Sequence, residues 1–342
     1  MDETPAILVI YTGGTIGMIK DEKTGALVPF NFKNTYELIP ILEKFECTLD
    51  FHSFDPILDS SNIHPDHWIK IAEVIENNYS DYDGFVVLHG SDTMAYTASA
   101  LSFILDNLNK PVILTGSQLP IGDLRTDGRD NLIAAIEIAA SRIDNTPVVP
   151  EVCIYFEDKL LRGNRTIKYS AEHFNAFLSG NYPPLAEVGI YIKFNHNYIL
   201  KPNFKKLKVH KKINGNVGIL KIFPGISPRL VDAVLNKSNI EGLVLETFGV
   251  GNAPTEAWFI DSLKKAIDRG LIVLNITQCV TGSVEHGKYE TSQKLEEIGV
   301  ISGRDMTTEA GITKLMYLLG NYSDKLKIAE LLQRSLHGEL SK

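Results

Sequence analysis

Short apolar runs at 7–11, 85–88, 112–115 and 152–156 are rich in β-branched and aromatic residues and stop at glycine or polar positions, which predicts buried strands. Between them, apolar residues recur every three or four positions. One helix is predicted over 65–78, where Pro65 suits the first helical position. A second starts near Thr93 and sets Met94, Ala98, Leu101, Leu105 and Leu108 on one face. A third, over 129–143, does the same with Leu132, Ile136, Ala139 and Ile143. Strand and helix periods alternating in this way predict parallel βα units.

From about 194 to 215 the alternation gives way to a stretch rich in lysine and asparagine, the natural place for a linker. A second series follows, with strands predicted at 217–222, 242–245 and 271–276 and helices at 228–236, 256–268 and 291–298. The segments 307–319 and 324–336 read as helical. The expected fold class is α/β, with two parallel-sheet α/β domains, the N-terminal one larger. Their expected limits are 1–195, a linker at 196–214, and 215–342.

Composition narrows the function classes. A chain of 342 residues with 44% hydrophobic and 22% charged residues is that of a packed globular protein longer than one usual domain. Its 34 basic and 42 acidic residues leave a net charge of -8, and no basic run tracks a phosphate backbone, so no nucleic-acid partner is expected. The basic cluster at 201–212 reads as part of the solvated linker. Three scattered cysteines, Cys47, Cys153 and Cys279, fit neither a disulfide framework nor a zinc cluster and point to a reducing compartment. The acidic, polar start is unlike a secretory signal. No apolar stretch approaches the ~18 residues of a membrane span, so a cytoplasmic location without membrane attachment is expected. His64 and His67 could ligate a metal, but with Pro65 between them they read better as a helix start, and no metal is expected.

In parallel sheets ligands bind beyond the carboxyl ends of strands, which directs attention to three exits. The first is Thr12-Gly13-Gly14-Thr15-Ile16-Gly17, whose glycines allow positive φ and a close backbone approach. It reads either as a plain turn or as a loop presenting Thr15 to a ligand; neither nucleotide-binding glycine spacing is present. The second is His89-Gly90-Ser91-Asp92-Thr93, ahead of an apolar helix, where Asp92 alone would pass for a helix cap. The third, Thr115-Gly116-Ser117-Gln118-Leu119-Pro120, is a loop with two hydroxyls. A hydroxyl nucleophile needs a proton acceptor, and Lys168 is a candidate that its spacing alone does not single out.

The motifs Thr12 to Gly17 and His89 to Thr93, in this order and both at strand exits, resemble the paired signature of the asparaginase and glutaminase family. Asp59-Ser60-Ser61-Asn62, Ser117 to Pro120, Leu124-Arg125-Thr126-Asp127, Arg162 to Lys168, Gly249 to Pro254 and Asn275 to Cys279 extend the similarity to its cytoplasmic type I branch, across 7–319. The resemblance implies hydrolysis of L-asparagine to aspartate and ammonia, without cofactor. Thr15 is then the nucleophile, and Ser91, Asp92 and Lys168 the second hydroxyl, carboxylate and amine. Asp92 also pairs with the substrate α-ammonium. Asp59, Ser60 and Ser61 fall to substrate binding, with Ser60 and the N–H groups around Ser61 on the α-carboxylate, and Ser117 contacts the side-chain amide. A homodimer or homotetramer is implied. The alternatives are an amidase subunit of a tRNA-dependent amidotransferase, or an amino-acid sensor of weakened turnover.

Three departures from the family pattern have consequences. Ser91 stands where relatives carry threonine, and the segment 18–30 contains no tyrosine, although many bacterial relatives supply one there. The family's second, regulatory asparagine site resembles the region here around Ile167, Glu246 and Cys279, and relatives that respond sigmoidally have threonine and arginine where this chain has Ile167 and Glu246.

Overall fold

The computed structural model describes residues 4–20, 27–29, 42, 46–237, 239–287 and 290–341. The chain divides into two compact units, Met1–Val209 and His210–Lys342.

The first unit is organised by the apolar runs. β1 (Ala6–Gly13), β2 (Thr48–Leu58), β3 (Gly84–Leu88), β4 (Val112–Thr115) and β5 (Val152–Phe156) pair in parallel in the order 2-1-3-4-5. β6 (Lys159–Arg162), β7 (Ala186–Val188) and β8 (Ile192–Phe194) continue the sheet beyond β5 as antiparallel strands. The expected parallel sheet is thus parallel at its centre and antiparallel along one flank.

Alternation along each strand sends successive side chains to opposite faces. Ile7, Val9, Tyr11, Val86, Leu88, Ile113 and Cys153 share one core with Leu132, Ala135, Ile136 and Ala139. Those four belong to α3 (Gly128–Ala140), which follows α1 (Pro65–Asn77) and α2 (Met94–Ile104) in the chain. α1 packs on α2, and α2 on β4 and β5.

Two helices stop sooner than their apolar period suggests. After Ile104 the chain leaves α2 so that Leu105–Asp106 can pair with Lys208–Val209, and Asn107 adopts a left-handed conformation. After Ala140, Asp144 and Asn145 take positive φ in a tight two-residue turn, so that Ile143 lies in a hairpin and is exposed rather than buried on α3. Edge strand β2 had no clear signature, because Asp50, His52, Ser53 and Asp55 interrupt its apolar residues.

The strand order has a functional consequence. β1 connects towards β2 on one side, whereas β3 connects towards β4 on the other, so the segments that leave the carboxyl ends of these two neighbouring strands run apart and open a crevice.

The second unit holds a wholly parallel sheet of β9 (Val217–Lys221), β10 (Gly242–Thr247), β11 (Ile272–Thr277) and β12 (Ile301–Ser302), in that order. α4 (Pro228–Lys237) and α5 (Ala257–Asp268) bury Val231, Leu235, Phe259 and Leu263 against Leu220, Leu243, Leu245 and Val273. α6 (Glu290–Glu297) precedes β12, and α7 (Thr308–Asn321) and α8 (Lys325–Leu332) complete the unit. Among the described residues no helix is long and apolar enough to cross a membrane.

Candidate active site

The crevice between β1 and β3 is closed at its base by a buried side chain. Thr12 Oγ1 donates to the Leu88 carbonyl at 2.9 Å and ties the two strand ends together. Gly13 and Gly14 then turn the chain through φ of 142° and 92° into a short 3-10 turn, Thr15–Gly17. A Cβ on Gly14 would stand 2.5 Å from the Gly90 nitrogen, so only glycine lets the first exit rest on the second. Thr15, half-buried, lines a cleft of about 420 Å³ together with Asp59, Ser60, Ser91 and Asp92. Met18, Ile57 and Leu58 form its apolar wall.

Lys168 reaches Ser91 and Asp92 from the strand pair formed by Ile167–Lys168 and Phe177–Leu178. Its Nζ donates to Ser91 Oγ at 2.8 Å and to Asp92 Oδ1 at 2.7 Å. The lysine side chain is 17% exposed and the aspartate 66%, so the amine is held inside while the carboxylate faces solvent. A hydroxyl, an amine and a carboxylate in one hydrogen-bonded chain can hand protons along it.

The Asp59 loop is organised by its own first residue. Asp59 caps the 3-10 turn Ser60–Asn62, its Oδ1 accepting from the Ser61 N–H at 2.9 Å and the Ser61 hydroxyl at 2.8 Å. These hydrogen bonds, the backbone one foremost, hold the Asp59 carboxyl below its usual range. The Ser61 N–H is therefore engaged within the loop, and Ser60 is buried and part of the cleft lining. Thr93 Oγ1 donates to the Ser60 carbonyl at 2.7 Å and joins this loop to the second exit.

Ser117 lies outside the cleft lining. It is buried, and its hydroxyl donates to the Leu119 carbonyl. Two residues that sequence reasoning did not assign hold its loop. Asp127 accepts from the N–H groups of Gln118 and Leu119, and Asn131 donates to the Gly116 carbonyl. Aspartate and asparagine at the start of α3 were the available signal.

His89 is buried. Trp68 Nε1 donates to Thr97 Oγ1, which donates to His89 Nε2, and His89 Nδ1 donates to the Gly90 carbonyl at 2.7 Å. Burial pushes its pKa down to about 4, so the ring is a neutral strut, not a base. His67 Nδ1 accepts from the His64 N–H at 2.9 Å, which makes the pair a capping arrangement at the start of α1. Among the described residues no group of three or more His, Cys, Asp or Glu is arranged to hold a metal ion. Within the segment 18–30, which carries no tyrosine, Met18–Lys20 pairs antiparallel with Leu27–Pro29; 21–26 and 30 lie outside the described residues.

Fold and site together define a two-unit α/β protein with a hydroxyl turn and a hydroxyl–amine–carboxylate cluster at the switch point of its larger sheet. Comparison with known proteins agrees. The family "Asparaginase, N-terminal" matches residues 6–200, and "Glutaminase/Asparaginase C-terminal domain" matches residues 216–332. The chain belongs to the asparaginase family. It is 45% identical to L-asparaginase 1 of Escherichia coli (strain K12) over 98% of each chain. The crystal structure of L-asparaginase I from Vibrio cholerae superposes with a TM-score of 0.89 at 42% identity, covering 99% of this chain and 100% of that one. A glutamyl-tRNA(Gln) amidotransferase subunit of Pyrococcus abyssi is 33% identical over 98% of this chain and 77% of its own length.

Proposed function

We propose that this protein is an L-asparagine amidohydrolase, cleaving the side-chain amide to L-aspartate and ammonia through a threonine acyl-enzyme. The observation that carries the reading is Lys168 Nζ held 2.8 Å from Ser91 Oγ and 2.7 Å from Asp92 Oδ1, on the cleft that Thr15 lines. Thr15 Oγ1 attacks the amide carbon. Its proton passes to the departing amide nitrogen, by way of the Ser91 hydroxyl and Lys168, and ammonia leaves. Water then attacks the ester on Thr15, giving one proton back to the threonine and releasing aspartate. No redox step occurs, and the reaction needs no cofactor.

Recognition of the amino-acid end follows from charge. The exposed Asp92 carboxylate pairs with the α-ammonium while Ser60, with Asp59 and Ser61 shaping its turn, receives the α-carboxylate. Ser117, on the neighbouring loop, supports the wall that faces the side-chain amide. We further propose a cytoplasmic homodimer or homotetramer, with the catalytic threonine on the N-terminal unit and the chain crossing to the C-terminal one near 196–214.

The similarity to an amidotransferase subunit supports a second reading, in which the same amide chemistry feeds ammonia to a partner. Ammonia release from L-asparagine and L-glutamine by the purified protein, without ATP or tRNA, tests both. Steady turnover of asparagine supports the first reading; turnover only with a partner and those co-substrates supports the second. Retained aspartate binding with no ammonia release under either condition would indicate a sensor.

A further inference from the structure

Tyr11 is the last inward-facing residue of β1 before the nucleophile turn, and it is only 2% exposed. The turn doubles back over its ring. A Cβ on Gly17 would stand 2.2 Å from the tyrosine Cζ, so the Gly17 backbone lies directly on the phenol and tolerates no side chain there. From this position Tyr11 Oη donates to the Gly17 carbonyl at 3.1 Å and stands 3.5 Å from the Gly14 carbonyl. Gly14 immediately precedes Thr15 and Gly17 follows it by two positions, so the two carbonyls bracket the turn that carries Thr15. Gly14 O also accepts from the Gly17 N–H at 3.2 Å, so it too is turned inward.

We propose that Tyr11 is a positioning residue for the nucleophile: its hydroxyl draws the two carbonyls that bracket this turn towards the core, which leaves the Thr15 side chain aimed into the cleft. The inference rests on Thr15 being the nucleophile. Its geometric basis is the planar trans peptide, in which C=O and N–H point in opposite directions. With Gly14 O held on the side of Tyr11, the Thr15 N–H is turned to the opposite side, where an amide oxygen gaining charge would meet it. Burial pushes the phenol up to about 12, so it stays a hydrogen-bond donor and does not act as the base for Thr15. This tyrosine therefore does a different job from the loop tyrosine that 18–30 lacks. It orients the threonine from beneath and takes no proton from it.

Tyr11→Phe keeps the ring under Gly17 and removes only the hydroxyl. Near-attack geometry is steep in position, so kcat on asparagine should fall about tenfold or more while KM stays within about twofold. Alkylation of Thr15 by a diazoketone analogue of asparagine, with loss of dinitrogen, should slow by a similar factor when followed by mass spectrometry. Val86→Ala, which lightens the same core away from the cleft, separates positioning from stability. It should lower the melting temperature and leave kcat and labelling unchanged. A Tyr11→Phe enzyme with wild-type kcat and labelling rate would overturn the proposal, as would equal losses of kcat in Tyr11→Phe and Val86→Ala. Either result in a wild type that hydrolyses asparagine and loses this on Thr15→Ala leaves the amidohydrolase reading standing. A wild type without turnover would instead remove that reading first.

Discussion

Lys168 Nζ donates to Ser91 Oγ at 2.8 Å across a separation of 77 positions, and this bond ties the strand pair after β6 to the loop that ends β3. Nothing in the fold requires a lysine there, since the ion pair with Asp92 is open to solvent on the carboxylate side and such pairs contribute little to stability. Its arrangement suits proton transfer. Lys168→Met and Ser91→Ala should each cut kcat on asparagine by on the order of 10²–10⁴, the usual worth of general acid–base groups. Unfolding midpoints should hardly move. Ser91→Thr keeps the hydroxyl and restricts its χ1, so it should retain or raise activity. Near wild-type turnover by Lys168→Met would remove the lysine from the mechanism.

Much of the scaffold was readable because burial is written into short apolar runs. β4 and β5 occupy the very residues their β-branched and aromatic content marked. Where reading failed, a local backbone feature overrode the pattern. Leu105 and Ile143 continue the helical period of α2 and α3, yet Asn107 in one case and Asp144 with Asn145 in the other turn the chain away. The site was less legible for a different reason. Thr15, Ser91 and Asp92 sit at strand exits, which the alternation locates, but Lys168 acquires meaning only from partners 76 and 77 positions distant. Tyr11 was hidden as an ordinary strand residue, because its hydroxyl matters only once the turn folds back onto it.

His89 gives the protein an acid-sensitive core. Its folded pKa of about 4 lies below the ordinary 6.5, so between these values the unfolded chain binds a proton that the folded one refuses. Stability from this group is complete above pH 6.5 and is lost progressively as pH falls towards 4, by roughly 3 kcal/mol at one pH unit per 1.36 kcal/mol. Glu309, a carboxyl that burial raises to about 7, works in the opposite sense between pH 6.5 and 5 and is common to wild type and variant, so the test is the difference between the two. His89→Gln should be less stable than the wild type at pH 7, and that gap in urea midpoint should narrow as pH falls to 5. Parallel curves for the two proteins would show that His89 is not the titrating group.

The second unit contains a wholly buried ion pair, Lys314 Nζ to Glu339 Oε1 at 2.6 Å. Lys314 also donates to the carbonyls of Leu332, the last residue of α8, and of Arg334 beyond it, while Glu339 accepts from the N–H groups of Leu336 and His337. The pair thus fastens the segment after α8 onto α7. Breaking it from one side strands a buried charge, so Glu339→Leu should cost about 3–5 kcal/mol. Lys314→Met added to Glu339→Leu should recover part of that loss, because no charge is then left unpaired. A double mutant that loses the sum of the single effects would argue against coupling between the two side chains.

The last prediction concerns cooperativity. Where sigmoidal relatives present an arginine to an effector carboxylate, this chain has Glu246 at the end of β10. Its Oε1 already accepts from Thr308 Oγ1 at 2.6 Å, and Lys221 Nζ stands 3.7 Å from Oε2. A second carboxylate, Glu309, is nearby; burial pushes its pKa up to about 7, and the charge of Glu246 adds to that rise. A carboxylate ligand would meet like charge here instead of a bidentate guanidinium. Coupling requires an effector that binds one state better than another, and this surface offers an asparagine carboxylate no such preference. Initial rates against asparagine concentration should therefore be hyperbolic, with a Hill coefficient of about 1. A sigmoidal curve that becomes hyperbolic on Glu246→Ala, with Ser60→Ala changing only the apparent affinity, would show that this chain does hold a second asparagine through Glu246.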